Sequence, residues 1–95
     1  MPYRWTANGK ERSKLRGRVH DDRPLVQIGK GGLDEGVIAS AAQVLHSKEV
    51  IKVRVLNNCP LEPRVAADRL AEAVEAEIIG RVGSVAILYK PRQEE

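Results

Sequence analysis

The sequence is poor in aromatic residues and in cysteine. Its 95 residues include no phenylalanine, one tryptophan and two tyrosines, so the core must be aliphatic. This scarcity also argues against a platform of exposed rings that stack on bases, as in RRM domains. The single cysteine, Cys59, permits no disulfide within the chain and favours a reducing compartment. No apolar run approaches the ~20 residues of a membrane span and no signal-peptide core is present, so we expect a cytoplasmic protein without membrane contact.

Residues that commonly form catalytic or metal centres are also sparse. His20 and His46 are the only histidines, and neither has a cysteine or carboxylate at metal-ligand spacing. The serines lack the context of a nucleophile elbow. The carboxylate pairs Asp21-Asp22 and Asp34-Glu35 adjoin breaks in the hydrophobic pattern, where capping and solvation explain them better than acid–base catalysis. We therefore expect no enzymatic activity, no metal site and no cofactor.

Basic residues are concentrated in the first third of the chain. The whole sequence has 16 Lys and Arg against 13 Asp and Glu, a net charge of +3 and a pI near 9.3. Residues 1–30 contain 8 of these bases and 3 acids, giving +5, whereas the remainder has 8 bases and 10 acids, giving −2. This asymmetry points to an anionic partner for the N-terminal third, although a solvated charged helix is a common alternative.

One stretch combines a strand, a glycine-rich turn and a helix start. The β-branched run Val26–Ile28 leads into Gly29-Lys30-Gly31-Gly32, and an amphipathic helical pattern begins at Asp34. Glycines let another backbone approach closely, the first amides of a helix carry partial positive charge, and Lys30 adds a cation, so the turn suits a phosphate. The pattern matches neither a P-loop nor a dinucleotide fingerprint. Gly29-x-x-Gly32 has the spacing of the KH-domain loop that clamps a nucleic-acid backbone, although a tight connection with a solvated lysine explains it equally well.

Hydrophobic periodicity predicts a helix followed by the order β-α-β-α-β-β. The first helix is basic and has only a narrow apolar stripe, Leu15 and Val19. Residues 1–8 show no periodicity, so we expect a loose arm there and a single domain over residues 9–95. The predicted elements are a helix at Gly9–His20, a strand at Leu25–Ile28, a helix at Asp34–Ser47, a strand at Val50–Leu56, a helix from Pro63, and a closing hairpin of Ile78-Ile79 and Val85–Tyr89 whose strands flank Gly80 to Gly83.

This pattern predicts an α/β domain of two layers. Right-handed βαβ crossovers place consecutive helices on the same face of a sheet. We therefore expect a four-stranded mixed sheet with the helices packed on one face. In the second strand, alternation then buries Ile51, Val53 and Val55. Lys52 and Arg54 point to the other face, where they would lie side by side in solvent.

Four runs are too specific to be generic. They are Lys10-x-Arg12-x-x-Leu15-Arg16 followed by His20, Pro24-x-Val26-Gln27-Ile28-Gly29-Lys30-Gly31-Gly32-Leu33-x-Glu35-Gly36-Val37, Glu49–Val55 and Leu88-Tyr89-Lys90-Pro91. Together they resemble the CRM domain (chloroplast RNA splicing and ribosome maturation) in its small YhbY-like form. The resemblance implies a KH-like GxxG loop and a fold similar to the C-terminal domain of translation initiation factor three. It also implies RNA binding, since single-domain members associate with precursors of the large ribosomal subunit and plant multi-domain members act in group II intron splicing.

The resemblance also implies an RNA-binding site at the loop and on nearby cations. Asp34 would cap the following helix and turn away from the loop, leaving Lys30 and the amides of Gly31 and Gly32 facing RNA. The chain departs from the family at Asp21-Asp22 and near the last hairpin, where members usually read Ile-Gly-Arg and this chain has Val82-Gly83-Ser84. The predicted RNA-binding residues are Gly29, Lys30, Gly31, Gly32, Lys10, Arg12, Lys14, Arg16, Lys52 and Arg54.

We therefore expect a monomeric cytoplasmic protein that binds ribosomal RNA and acts in assembly of the large ribosomal subunit. The alternative is a protein-interaction domain whose basic face docks an acidic protein partner, with the glycines serving only the fold. Titration with structured ribosomal RNA in the presence of excess acidic polymer would separate the two.

Overall fold

The computed structural model describes residues 9–91 and confirms the predicted order of helices and strands. The elements are α1 (Gly9–Arg18), β1 (Val26–Ile28), α2 (Glu35–Lys48), β2 (Val50–Val55), α3 (Pro63–Ala73), β3 (Glu77–Val82) and β4 (Val85–Tyr89). The longest described helix, α2, has 14 residues, and none in this part of the chain is long and apolar enough to cross a bilayer. The arm predicted at residues 1–8 lies outside the described residues, as do residues 92–95.

The four strands form one mixed sheet in the order β1-β2-β4-β3. β1 and β2 are parallel, and β4 is antiparallel to both of its neighbours. The helix α2 makes the crossover between the two parallel strands. β1 therefore lies at an edge of the sheet, and the turn that follows it lies beside the end of β2, where Ile28 pairs with Val55.

The helices α2 and α3 pack on one face of the sheet, as predicted. Ile51, Val53 and Val55 face them, with exposures of 1%, 0% and 2%. Leu45 of α2 and Leu70 of α3 join the same core and are almost completely buried. Burying one large aliphatic side chain contributes about 1.5–3 kcal/mol relative to leaving it exposed. This face therefore holds most of the stabilising apolar contact of the domain.

The first helix packs on the opposite face of the sheet, which we call the second face. The expectation of two layers with the helices on one face is therefore wrong for α1. Val19, which follows α1, packs in a small second core with Val50, Ile79 and Ile87. The sequence pattern hides this core, because the residues that share the orientation of Val50 in β2 are the charged Lys52 and Arg54.

A glycine in β3 makes room for α1. Arg16 donates from Nη1 to the backbone oxygen of Ile79 at 2.8 Å, and a β-carbon on Gly80 would lie 2.6 Å from the Cδ of Arg16. The pairing of β3 with β4 shifts register at the same place. Beyond this irregularity the strand continues through Gly80 to Val82, where the sequence predicted a turn. The connection between the last two strands is reduced to Gly83-Ser84.

Candidate nucleic-acid interface

The glycine-rich stretch after β1 is a tight turn with an exposed tip. The N–H of Gly32 donates to the oxygen of Gly29 at 2.9 Å, which closes the turn and leaves Lys30 and Gly31 exposed at its tip. The positive φ of this turn belongs to Gly32, at +64°, and Gly32 is buried against Pro60. A side chain would be strained in this conformation, so the fold itself requires glycine at position 32.

Asp34 caps α2 but does not turn away from the loop. Its Oδ1 accepts a hydrogen bond from the N–H of Val37 at 2.9 Å, as predicted for a cap. Its Oδ2 lies 2.9 Å from the point where a β-carbon on Gly31 would be, so the carboxylate sits beside the turn. The prediction that the start of α2 and the Gly32 amide both donate to a phosphate is therefore wrong. The Asp34 carboxylate lies at the start of α2, and the Gly32 amide donates to Gly29 inside the turn. Lys30 and Gly31 remain as the exposed part of the loop, and Lys30 is its cation.

The four basic residues predicted on the first helix divide into two pairs. Arg12 lies 3.4 Å from the carboxylate of Glu77, and Arg16 donates to β3 as described above. Both arginines therefore serve to pack α1 against the sheet. Lys10 and Lys14 are exposed and lie four residues apart, so they project from the same side of the helix into solvent.

The two cations of β2 also differ from each other. Lys52 is half-buried, and its ammonium donates to the backbone oxygen of His20 at 2.9 Å, whereas Arg54 is exposed. The expectation that both lie in solvent is therefore correct for Arg54 only. His20 belongs to the turn after α1, so the bond from Lys52 fixes that turn over the second face. Arg54 pairs in register with Gln27 of β1, which lies three residues before Lys30.

The structure spreads the predicted site residues along the sheet and does not gather them in one cluster. The tip follows the end of β1 that adjoins the end of β2. Arg12 contacts Glu77 at the start of β3, the end of the sheet that also holds Val50 and Tyr89. A strand as long as β2 spans roughly 20 Å, and Lys52 and Arg54 lie between the two ends. This spacing suits an extended polyanion and exceeds the reach of a single phosphate group.

The described residues contain no grouping that indicates a metal or thiol centre. Between residues 9 and 91, no three His, Cys, Asp or Glu side chains are placed to hold a metal ion. The sulfur of Cys59 is half-buried and accepts a hydrogen bond from the N–H of Leu61 at 3.4 Å inside a turn. Burial, followed by the nearby Glu49 carboxylate, raises the pKa of Tyr89 above its ordinary value. These contacts belong to the fold, and the exposed cations are left as the candidate site.

Comparison with known protein families matches the model of the CRS1 / YhbY (CRM) domain to residues 8–90, nearly the whole chain. The chain belongs to the CRM family. The resemblance inferred from the four sequence runs is thereby confirmed. CRM-domain proteins of this kind are a family of RNA-binding proteins and not of enzymes.

Relatives of this CRM protein carry names that refer to RNA. The probable RNA-binding protein YqeI of Bacillus subtilis is 34% identical over 86 residues, which cover 90% of each chain. An RNA-binding protein of Haemophilus influenzae is 29% identical over 89 residues, covering 94% of this chain and 90% of the relative. The probable RNA-binding protein MJ0652 of Methanocaldococcus jannaschii is 36% identical over 87 residues, covering 90% of this chain and 64% of the relative.

The CRM fold of this chain is also similar to a solved structure. The solution structure of SAV1595 from Staphylococcus aureus, a candidate RNA-binding protein, matches it with a TM-score of 0.77 and 35% sequence identity. The match covers 94% of this chain and 93% of that chain. The mixed sheet and the helices described above are therefore shared with another protein of this kind.

Sequence reasoning missed two features of the second face in this CRM protein. One is that the Arg16 side chain lies so close to β3 that position 80 has to be a glycine. Gly80 inside an apolar run is in itself a signal for a bulge or for the close approach of another group. The other is Val82, which is 73% exposed at the end of β3 and pairs with Val85 across the hairpin. No pattern in the sequence distinguishes Val82 from a buried strand residue.

Proposed function

We propose that this CRM protein is a monomeric, cytoplasmic RNA-binding protein that binds ribosomal RNA during assembly of the large ribosomal subunit. The observation that carries the proposal is the exposed tip of Lys30 and Gly31, at one end of a sheet whose second face bears further cations. Membership of the family and the names of the relatives support RNA as the partner. The resemblance to single-domain members that associate with large-subunit precursors supports ribosomal RNA as its source.

At the tip, the protein would bind the RNA backbone and not the bases. Lys30 supplies a mobile positive charge that can reach a phosphate, whereas the Asp34 carboxylate occupies the space beside Gly31 and disfavours an anion against the main chain there. Such phosphate contacts position the RNA but carry no sequence information. Arg54 is the next exposed cation along the sheet, and a guanidinium can donate two hydrogen bonds to one phosphate.

The basic helix would extend the contact at the other end of the sheet. Lys10 and Lys14 face solvent and can neutralise phosphates directly. Arg12 and Arg16 would act indirectly, because their contacts with β3 hold α1 in place. Lys52 would likewise fix the turn after α1. The proposed direct contacts are therefore Lys10, Lys14, Lys30 and Arg54, with Gly29, Gly31 and Gly32 shaping the turn.

Charge reversal at the tip tests this proposal. Lys30→Glu places a carboxylate where a phosphate would bind, and like charges juxtaposed at an interface cost several kcal/mol. In a filter-binding titration with a fragment of large-subunit ribosomal RNA, we expect the affinity to fall by about tenfold or more, since 1.4 kcal/mol corresponds to tenfold.

Arg69→Glu is the matched control, because it makes the same charge change on the exposed side of α3. It should bind nearly as tightly as the wild type, because Arg69 lies on the helix layer of the sheet face that does not carry the candidate site, and salt screens exposed charges that are not in contact. An unchanged affinity in Lys30→Glu, or an equal loss in both variants, would contradict the site.

Competition separates RNA binding from the alternative of an acidic protein partner. Ribosomal RNA should remain bound in the presence of excess polyglutamate at equal charge concentration. If polyglutamate displaces the RNA completely, the basic surface has no preference for nucleic acid. Co-sedimentation of the protein with precursors of the large subunit, and not with mature subunits alone, tests the ribosomal part of the proposal.

A further inference from the structure

A groove of about 410 Å³ opens on the second face, between the turn that follows α1 and the β3–β4 hairpin. This volume falls within the range of about 300–1,000 Å³ that is usual for small-molecule sites. The side chains that form its floor are apolar, and those at its rim include two cations. The floor consists of Val82, Val85 and Ile87, and the rim includes Arg16, His20 and Lys52.

The floor is apolar and accessible to a ligand. Val82 exposes 73% of its surface, and only one other large hydrophobic residue in the described chain, Leu25 at 47%, is classed as exposed. Val82 pairs with Val85 across the hairpin, so their side chains lie on the same face. Ile87 follows two residues further along β4 with the same orientation. The three side chains therefore form a continuous apolar strip, with Val82 at its exposed end and Ile87, which is 5% exposed, at its buried end.

The rim is cationic, and its charges are held in place. Arg16 and Lys52 donate to the backbone oxygens of Ile79 and His20, at 2.8 and 2.9 Å. Because these acceptors are neutral, neither hydrogen bond cancels the positive charge of its donor. None of the described residues that line the groove is acidic. The carboxylate of Asp21 contacts the His20 ring at 3.1 Å, but its side chain is 98% exposed and lies outside the lining.

We infer that this groove receives a nucleobase of the bound RNA, an inference that rests on the proposed function. One face of an unstacked base would pack on Val82 and Val85, and the positive charges of Arg16 and Lys52, which their hydrogen bonds hold in place, would attract the phosphates beside it through space. Apolar side chains alone would accept many partners. Two fixed cations, in a groove where none of the described lining residues is acidic, favour a polyanion, and single-stranded RNA is a polyanion that also presents flat apolar surfaces.

The groove lies on a line across the sheet that starts near the tip of the glycine turn. Gln27, Arg54 and Val85 lie opposite one another on three adjacent strands. Adjacent strands are about 4.8 Å apart, so Val85 lies about 10 Å from β1 across the sheet. Arg54 is exposed midway. An RNA strand whose phosphate is bound at Lys30 would therefore pass Arg54 before an unpaired base reaches the floor.

Val82 is the residue to vary, because its exposure makes substitutions there nearly neutral for folding. Fluorescence anisotropy with a short single-stranded RNA gives the affinity. Val82→Glu should weaken binding by about tenfold, because it places a negative charge between the phosphates and the cationic rim. Val82→Tyr should strengthen binding by about fivefold, because it offers a ring on which a base can stack.

Two controls make the test specific for a base. Ala42→Glu introduces the same charge on the exposed side of α2, on the other face of the sheet, and should leave the affinity unchanged. An abasic strand of equal length should bind the wild-type protein more weakly, and Val82→Tyr should not improve its binding. Thermal melts of all variants should match the wild type.

The outcomes separate this inference from the function on which it rests. If both Val82 variants bind base-bearing RNA like the wild type while Lys30→Glu binds it more weakly, the groove does not receive a base. The proposed function would then stand, and the apolar floor would be left for a protein partner. If the wild-type protein binds no RNA at all, the proposed function and this inference both fail.

Discussion

Replacing Gly80 by alanine should loosen the contact between α1 and the sheet. The added methyl group would lie 2.6 Å from the Cδ of Arg16, so the arginine side chain has to move. Its hydrogen bond to the oxygen of Ile79, 2.8 Å long, would then be lost or distorted. A hydrogen bond from a charged donor contributes about 1.5–3 kcal/mol.

The net loss should be smaller than that contribution. Alanine is favoured over glycine inside a strand by about 0.5–1 kcal/mol, which offsets part of the loss. We expect Gly80→Ala to lower the free energy of unfolding by about 1–2 kcal/mol. In a domain of this size, such a change corresponds to a decrease in Tm of roughly 5–15 °C.

A double-mutant cycle checks this reasoning. Urea denaturation gives the free energies of unfolding of Gly80→Ala, Arg16→Ala and the double variant. Without the Arg16 side chain the new methyl group meets no Cδ, so Gly80→Ala should then cost nothing or stabilise slightly. An equal cost of Gly80→Ala in both backgrounds would refute the coupling between these two residues.

Three other measurements test the core, a helix end and the charge of the interface. Val53→Asp should unfold the domain because Val53 is 0% exposed, whereas Arg54→Glu should melt like the wild type in circular dichroism; equal losses would contradict the assignment of faces. Glu75 lies two residues after the end of α3 and has a left-handed φ of 57°, so Glu75→Gly should raise the free energy of unfolding in urea by up to ~1 kcal/mol. A decrease would refute the strain. A plot of log affinity for RNA against log salt concentration should have a slope of about −3. A slope near zero would contradict the proposed phosphate contacts. The expected slope assumes about −0.7 for each phosphate neutralised by Lys10, Lys14, Lys30 and Arg54.

Local patterns were sufficient to predict the elements and the main core. The alternation of Ile51, Val53 and Val55 fixes which face of β2 is buried, because side chains alternate strictly along a strand. The position of Asp34 before an amphipathic run predicts its cap on α2, which the structure confirms. In both cases the signal lies in residues that are close in sequence.

The face on which α1 packs could not be predicted in the same way. It depends on the fit between Arg16 and Gly80, which are far apart in the chain, and no hydrophobic periodicity indicates that they are in contact. The same holds for the pairing of Arg12 with Glu77, which turns a predicted RNA contact into a packing contact. Sequence patterns identify a basic helix but not which of its cations the fold itself uses.

The glycine turn shows a similar limit at short range. The sequence predicts the cap at Asp34, but not that its second carboxylate oxygen lies beside Gly31. A side chain at Gly31 would meet that oxygen at 2.9 Å, so substitutions there would perturb the turn as well as any bound RNA. Lys30 is exposed and free of this complication, which makes it the better site for testing the loop.

RNA binding at the tip of the glycine turn is the proposal on which the others depend. It is tested most directly by titrating ¹⁵N-labelled protein with a single-stranded fragment of large-subunit ribosomal RNA and following the backbone amide signals. If the tip binds RNA, the largest shifts should occur at Lys30 and Gly31, with further shifts at Arg54, while the amide of Arg69 on α3 remains unaffected. Shifts that cluster on α3 and leave Lys30 and Gly31 unchanged would contradict it.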